Sequence, residues 1–283
     1  MKTKTKKPTL KSTRDQIRAL GYSFQTILGF NNNPKTAKSD NASNYLTAIV
    51  YLQPNLKTCT YSKMAKCINP CLNTAGRGGM TSIQLVRHDR TRCYYEHRDL
   101  FMQLLRLEID QHERRCHKYF RFPAVRLNGT SDIDWSEIIT DYPKVQFYDY
   151  TKDLGRVRQW IEAAAPPKSW GGAMLQGARR NKVRPRNYHV TLSWSGASKV
   201  YKERCLELMA LDPSLNIAMV FRDKETVQSI LGKRLFDRTI VDGDTTDLRF
   251  LDHAYSIVAL YAKGGARRDT SGFVVDVAQL NII

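Results

Sequence analysis

The chain has 283 residues, of which 42% are hydrophobic and 10% aromatic, enough apolar material for a sizeable core and too much for wholesale disorder. Lys and Arg number 45 against 27 Asp and Glu, a net charge of +18 that acts on polyanionic partners. No apolar run reaches the roughly 18 residues of a membrane span, and the lysine-rich first eleven residues lack the apolar stretch of a secretory signal. A soluble cytoplasmic protein is therefore expected, with nucleic acid rather than membrane as its partner.

The charge is uneven along the chain. Met1 to Lys11 carries Lys2, Lys4, Lys6, Lys7 and Lys11 with no acid, and Pro166 to Asn187 carries Lys168, Arg179, Arg180, Lys182, Arg184 and Arg186, again with no acid. Residues 1–43 read as a basic, polar N-terminal extension. It has a weakly helical middle over Asp15 to Phe30 and a loop, NNNPKTAKSDNASN, marked by its turn residues. Residues 44–283 read as one domain. Tyr45 to Pro54 is a β-branched and aromatic run closed by proline, hence a buried strand. Asp99 to Glu113 has the apolar spacing of an amphipathic helix.

Short apolar runs then recur: PAVRLN (123–128), VQFYDY (145–150), YHVTLSW (188–194), NIAMVFR (216–222) and RTIVDGD (238–244). Helical stretches lie between most of them: Trp135 to Asp141, Asp153 to Ala164, Ser198 to Leu211 and Lys224 to Leu231. Continuous apolar strands alternating with helices specify a parallel sheet. The remainder, IVALYAKGGARRDTSGFVVDV, reads as a closing β-hairpin around a glycine-rich turn. Nearly every strand ends in carboxylates, hydroxyls or a base, the pattern of barrel enzymes, whose chemistry gathers on the loops after the strands. The expected fold is α/β: a TIM-like or partial (β/α)6 barrel with the basic extension and the C-terminal hairpin attached.

Three cysteines follow the first strand as Cys59-x7-Cys67-x3-Cys71. Three thiolates within thirteen residues suit a soft metal or an iron–sulfur cluster with one coordination position left open. A fourth ligand from His88, Cys93 or His97 would make it a closed zinc site instead, and reduced structural cysteines are the plain alternative. Asp132, Asp149, Asp242 and Asp244 are candidate acid, base or nucleophile groups at the strand ends, with Asp134 and Asp247 nearby. Asp132 and Asp134 equally suit the cap of the helix that follows. Asp149 and Asp242 are expected to point into a common mouth near Asn128 and Asp132, where crowding raises a pKa. Candidate substrate or phosphate contacts are Asn128, Ser131, Lys152, Arg179, Arg180, Arg184, Arg186, Arg222 and Lys263. Tyr94, Tyr95, Trp170 and Trp194 lie among bases and suit base stacking. There is no Walker A loop and no GxGxxG.

Taken together, CINPCLNTAGRG (67–78), AVRLNGTSDIDW (124–135), VQFYDYTK (145–152), IVDGDTTDLRFLD (240–252) and DTSGFVV (269–275) resemble a tailed-bacteriophage protein family known as a numbered gene product. The resemblance runs from about Asn44 to the C-terminus. It implies expression in the cytoplasm of an infected bacterium and brings no characterised activity. The cysteine triplet after the first strand is similar in placement to that of radical S-adenosylmethionine enzymes, which implies an iron–sulfur cluster with S-adenosylmethionine, although the spacing departs from their CxxxCxxC. A further architectural analogy is to guanine transglycosylases, which exchange bases using strand-end aspartates. These observations point to an enzyme acting on nucleic acid or a nucleotide, DNA before RNA, with base modification as the reaction. The alternative is a non-catalytic basic protein that binds nucleic acid or a host factor.

Overall fold

The structure, a computed structural model, describes residues 7–30, 34–163 and 185–283. Helices α1 (Leu10–Ala19), α2 (Pro34–Ala42), α3 (Thr81–Glu96), α4 (Arg98–Lys118), α5 (Ser136–Asp141), α6 (Leu154–Glu162), α7 (Lys199–Leu211) and α8 (Lys224–Ile230) accompany one mixed sheet. Its strands are β1 (Leu28–Phe30), β2 (Tyr45–Val50), β3 (Phe122–Arg126), β4 (Gln146–Thr151), β5 (Tyr188–Ser193), β6 (Ile217–Phe221), β7 (Arg234–Leu235), β8 (Arg238–Asp242), β9 (Ser256–Tyr261) and β10 (Val274–Val275).

The strand order is β1-β2-β3-β4-β5-β6-β9-β8-β7. β2 to β6, β9 and β8 run parallel, while β1 and β7 are antiparallel edges. Among the described residues β1 and β7 do not pair with each other, so the hydrogen-bonded sheet is open. The expected C-terminal hairpin is absent. SIVALY is apolar on both faces and takes a place inside the sheet between β6 and β8, as doubly covered parallel strands do. β10 pairs parallel to the end of β6, beyond the point where β5 leaves it. NNNPKTAKSDNASN was expected as a loop, yet α2 runs through Pro34–Ala42.

Parity assigns the two faces. Ala48, Val125, Phe147, Val190, Leu192, Ile217, Ile257 and Ile240 share one face and bury against α1 and α3 to α8 in two adjoining clusters. Ile17, Tyr22, Phe24, Ile27 and Leu28 belong to that core, so the N-terminal segment from α1 to β1 is packed onto the body. A Thr9–Ser12 capping box starts α1. The opposite face carries Ala124, Arg126, Tyr148 and Tyr150 and is covered by the loop after β8. Leu248 packs on Ala124 and Tyr148 there, and the Phe250 ring meets Tyr45 at 4.9 Å and Tyr148 at 5.5 Å. No described helix is long and apolar enough to cross a membrane.

Candidate functional site at the carboxyl ends of the strands

The loop between β2 and α3 lies over the carboxyl ends of the parallel strands. Cys59 Sγ sits 4.0 Å from the Thr130 carbonyl in the loop after β3. The Ala65 carbonyl accepts from Ser195 Oγ at 2.7 Å, beyond β5. Cys67 packs on the apolar cluster of Ala262, Ala266, Phe273 and Val274. Gly264 approaches Ala75 so closely that a Cβ would lie 3.0 Å from its Cα, and the φ of Gly264 is +56°, so glycine is required twice over. A buried polar anchor holds the far end of this loop: Arg87 Nη1 donates to the carbonyl and to Oδ1 of Asn73, both at 2.6 Å.

Lys152 stands at the centre. It follows β4 with the parity of Tyr148 and Tyr150, and its ammonium donates to Ser193 Oγ at the end of β5 (2.5 Å). The same ammonium lies 5.0 Å from the centre of the Phe273 ring. Among the described residues no carboxylate pairs with it. Its charge reaches Cys59, Cys67 and Cys71. Burial nevertheless pushes all three thiols up, Cys59 to about 11, so they are protonated at neutral pH.

Below Lys152 the sheet face is polar. Arg126 stacks 4.7 Å from the centre of the Tyr150 ring and pairs with Asp247 at 3.4 Å. Tyr148 donates to the same carboxylate at 3.1 Å. Arg249, fully buried, pairs with Asp252 at 3.0 Å. Tyr150 and Thr191 are register partners on β4 and β5, and both bury their hydroxyls with no hydrogen-bond partner among the described residues. Buried hydroxyls left unpaired are costly, and a site that receives a polar ligand is one place they persist.

The carboxylates are arranged otherwise than expected. Asp149 and Asp242 share the parity of Phe147 and Ile240, so both face the helices rather than a common mouth, and three strands separate theirs in the sheet. Asp149 is buried and holds Asn128, accepting from its backbone N–H at 2.9 Å and from Nδ2 at 3.1 Å. Its pKa is pushed up to about 7 by burial, with the Asn128 hydrogen bonds acting against the shift; crowding by other acids is not the cause. Asn128 Oδ1 in turn accepts from Ser131 Oγ (2.9 Å), the Ile133 N–H (2.9 Å) and Trp135 Nε1 (3.0 Å), which fixes the 128–135 loop. Asp132 pairs with Arg156 and accepts from Thr151 Oγ1 (2.7 Å) and the Lys152 N–H (2.8 Å), so it shapes the turn that presents Lys152. Asp134 accepts from the Ser136 N–H (2.9 Å), but the N-cap of α5 is Trp135 and makes no side-chain cap, so neither Asp132 nor Asp134 is the cap expected. Asp242 accepts from the Asp244 N–H (2.8 Å), and Asp244 is engaged by Lys263 at 2.5 Å.

Of the remaining candidates, Arg222 donates to the carbonyls of Arg267 (3.1 Å) and Asp269 (3.0 Å) and so braces the loop after β9. Arg186 is exposed just before β5. Arg179, Arg180, Arg184 and Trp170 lie outside the described residues. Tyr94 and Trp194 are buried, Tyr94 against Tyr95, Phe101 and Trp135 and Trp194 against Phe236, so neither is available for stacking. Cys93 is a core residue of α3 and His88 an exposed one.

A metal does not fit the residues as they stand. Among the described residues no group of three or more His, Cys, Asp or Glu side chains is placed to hold an ion. Cys59 lies against the Thr130 carbonyl and Cys67 packs on the Phe273 cluster, so the three sulfurs do not converge on one point.

Arg126, Tyr148, Tyr150, Arg156 and Arg249 escaped sequence reasoning. The signal for the first was present, since a charge at the centre of the apolar run PAVRLN has to be partnered inside the protein.

A mostly parallel sheet with helices packed on one face, polar groups on the other and loops gathered at the strand ends defines an α/β protein with a candidate site there. The chain belongs to the Gene product 88 family, whose model matches residues 26–277. No curated protein and no solved structure matches it.

Proposed function

We propose that the protein is a phage-encoded enzyme of the bacterial cytoplasm that acts on nucleic acid or a nucleotide, with base modification as its reaction class. Its scaffold is a partial βα barrel, a reading supported by the packing of α1 and α3 to α8 on one sheet face and by the loop after β8 lying across the other. The observation that carries the proposal is Lys152: a half-buried cation at the strand ends, held by a hydroxyl and a ring and matched by no carboxylate among the described residues. Such a group suits a phosphate, and the hydroxyls of Tyr150 and Thr191, unpaired among the described residues, suit the polar edge of a base or sugar. A transglycosylase-like exchange would need aspartates at the mouth, and the orientation of Asp149 and Asp242 speaks against it.

Calorimetric titration of the purified chain with nucleosides and their mono- and triphosphates tests the assignment. Nucleotides should bind more tightly than nucleosides, and Lys152→Met should abolish the difference. Lys263→Met should change little, because Asp244 already engages that ammonium. Equal binding of nucleosides and nucleotides, or an unchanged preference in Lys152→Met, would refute it.

A further inference from the structure

The opposite end of the sheet carries a feature that the strand-end site does not use. Where α4 gives way to β3, the run Arg114-Arg115-Cys116-His117-Lys118-Tyr119-Phe120-Arg121-Phe122 exposes three large rings: Phe120 is 93% exposed, Phe122 60% and Tyr119 56%. Arg114, Arg115, His117 and Lys118 are exposed among them, and the neighbouring acid, Glu113, is only half-exposed.

The backbone makes the rings harder to dismiss. Phe120 has φ +53°, the left-handed conformation that closes a helix. Its N–H donates to the His117 carbonyl (3.1 Å), and that of Arg121 donates to the Cys116 carbonyl (2.9 Å). Glycine or asparagine serves such a position with less strain, so a fully exposed phenylalanine there is unexplained by the fold. The segment is also held firmly. The Arg121 guanidinium donates to the carbonyls of Asp40, Ser43 (2.5 Å) and Tyr45 (3.0 Å). The Phe122 ring rests 5.6 Å from that of Tyr45, which leads inward to Phe250 at 4.9 Å.

We propose that Tyr119, Phe120 and Phe122, with Arg114, Arg115 and Lys118, form a docking platform for single-stranded nucleic acid. Exposed rings offer faces on which unpaired bases stack, and the cations beside them meet the phosphates. A paired duplex hides its base faces and gains only the charge term. The inference deepens the nucleic-acid part of the proposed function by naming the form of the polymer and where it lies, at the strand end remote from Lys152.

Fluorescence anisotropy with a labelled 20-nucleotide single strand and the matching duplex tests it. The wild type should favour the single strand. Phe120→Asn keeps a residue at ease with positive φ while removing the ring, and Phe122→Ala removes the second; each should weaken single-strand binding about tenfold and leave the duplex little changed. Lys118→Ala should make the salt dependence of log affinity shallower, by about one for a phosphate contact. Unchanged single-strand affinity in both ring variants overturns the platform, as would be seen if the rings served a protein surface instead. Lys152→Met separates the two readings. Lost nucleotide binding with intact strand binding sustains both, while strand binding lost in Lys152→Met but not in the ring variants moves the polymer to the strand-end site and removes it from the platform.

Discussion

Asp149 and Asn128 meet twice: the carboxylate accepts from the Asn128 N–H at 2.9 Å and from its side-chain amide at 3.1 Å. A buried acid thereby organises the 128–135 loop from behind the sheet. This makes Asp149 a positioning residue and gives its titration a readable consequence.

With its pKa pushed up to about 7, Asp149 keeps a proton in the folded state that the unfolded chain has released above about pH 4. The folded state therefore binds more protons between these values, and stability falls as pH rises. The contribution is fully present below about pH 4 and is lost as pH passes through about 7. Asp149→Asn should remove this slope. The melting temperature of the wild type minus that of the variant should decline from pH 4 to pH 7, and a difference constant with pH would contradict the assignment.

The thiols offer a second check. Cys59, Cys67 and Cys71 are raised by burial, so alkylation by iodoacetamide should be slow at pH 7.5 and should accelerate up to and beyond pH 10. Lys152→Met should slow it further, since the lysine charge favours the thiolate of each. Rapid stoichiometric labelling at pH 7.5 would show that the cysteine segment is open.

Arg126 and Asp247 pair at 3.4 Å with side chains only 14% and 2% exposed. Asp247→Asn leaves a guanidinium without its countercharge inside the sheet face, at an expected cost of about 3–5 kcal/mol. Urea unfolding measures it. A loss below about 1 kcal/mol would mean that the pair is solvated.

Gly129 sits where a Cβ would lie 2.6 Å from the Val50 carbonyl oxygen and 2.7 Å from Ile49 Cγ2. Gly129→Ala should therefore displace the 128–132 loop, destabilise the protein by about 1–3 kcal/mol and weaken nucleotide binding through the Asp132 turn. Wild-type stability in this variant would contradict the packing described.

Much of the sheet could be read from sequence because doubly covered parallel strands are continuous apolar runs, and YLTAIV, FPAVR and IAMVF are such runs. The same property hid the orientation of the site. In a strand apolar on both faces, alternation does not say which face meets the helices, so the YDY of β4 puts Asp149 at the mouth in sequence, whereas in the structure Asp149 faces the helices and Tyr150 and Lys152 take the other face. β9 was misread because the glycine-rich turn after it mimics a hairpin, and only the register beside β6 reveals its neighbours. α3 gave little periodic signal, because its buried positions include Arg87 and Thr91 beside Cys93 and Tyr94. The Phe120 ring escaped notice because KYFRF resembles an ordinary strand entry; its exposure is set by the left-handed turn.

On this proposal, the strand-end site around Lys152 transforms nucleic acid or a nucleotide. The most direct measurement is mass spectrometry of nucleosides from the DNA, RNA and free nucleotide pool of bacteria producing either the wild-type chain or Lys152→Met. The expected result is a nucleoside of altered mass with the wild type that is missing with the variant, at equal protein levels. Identical nucleoside profiles from the two, with the wild type folded and abundant, would contradict the claim.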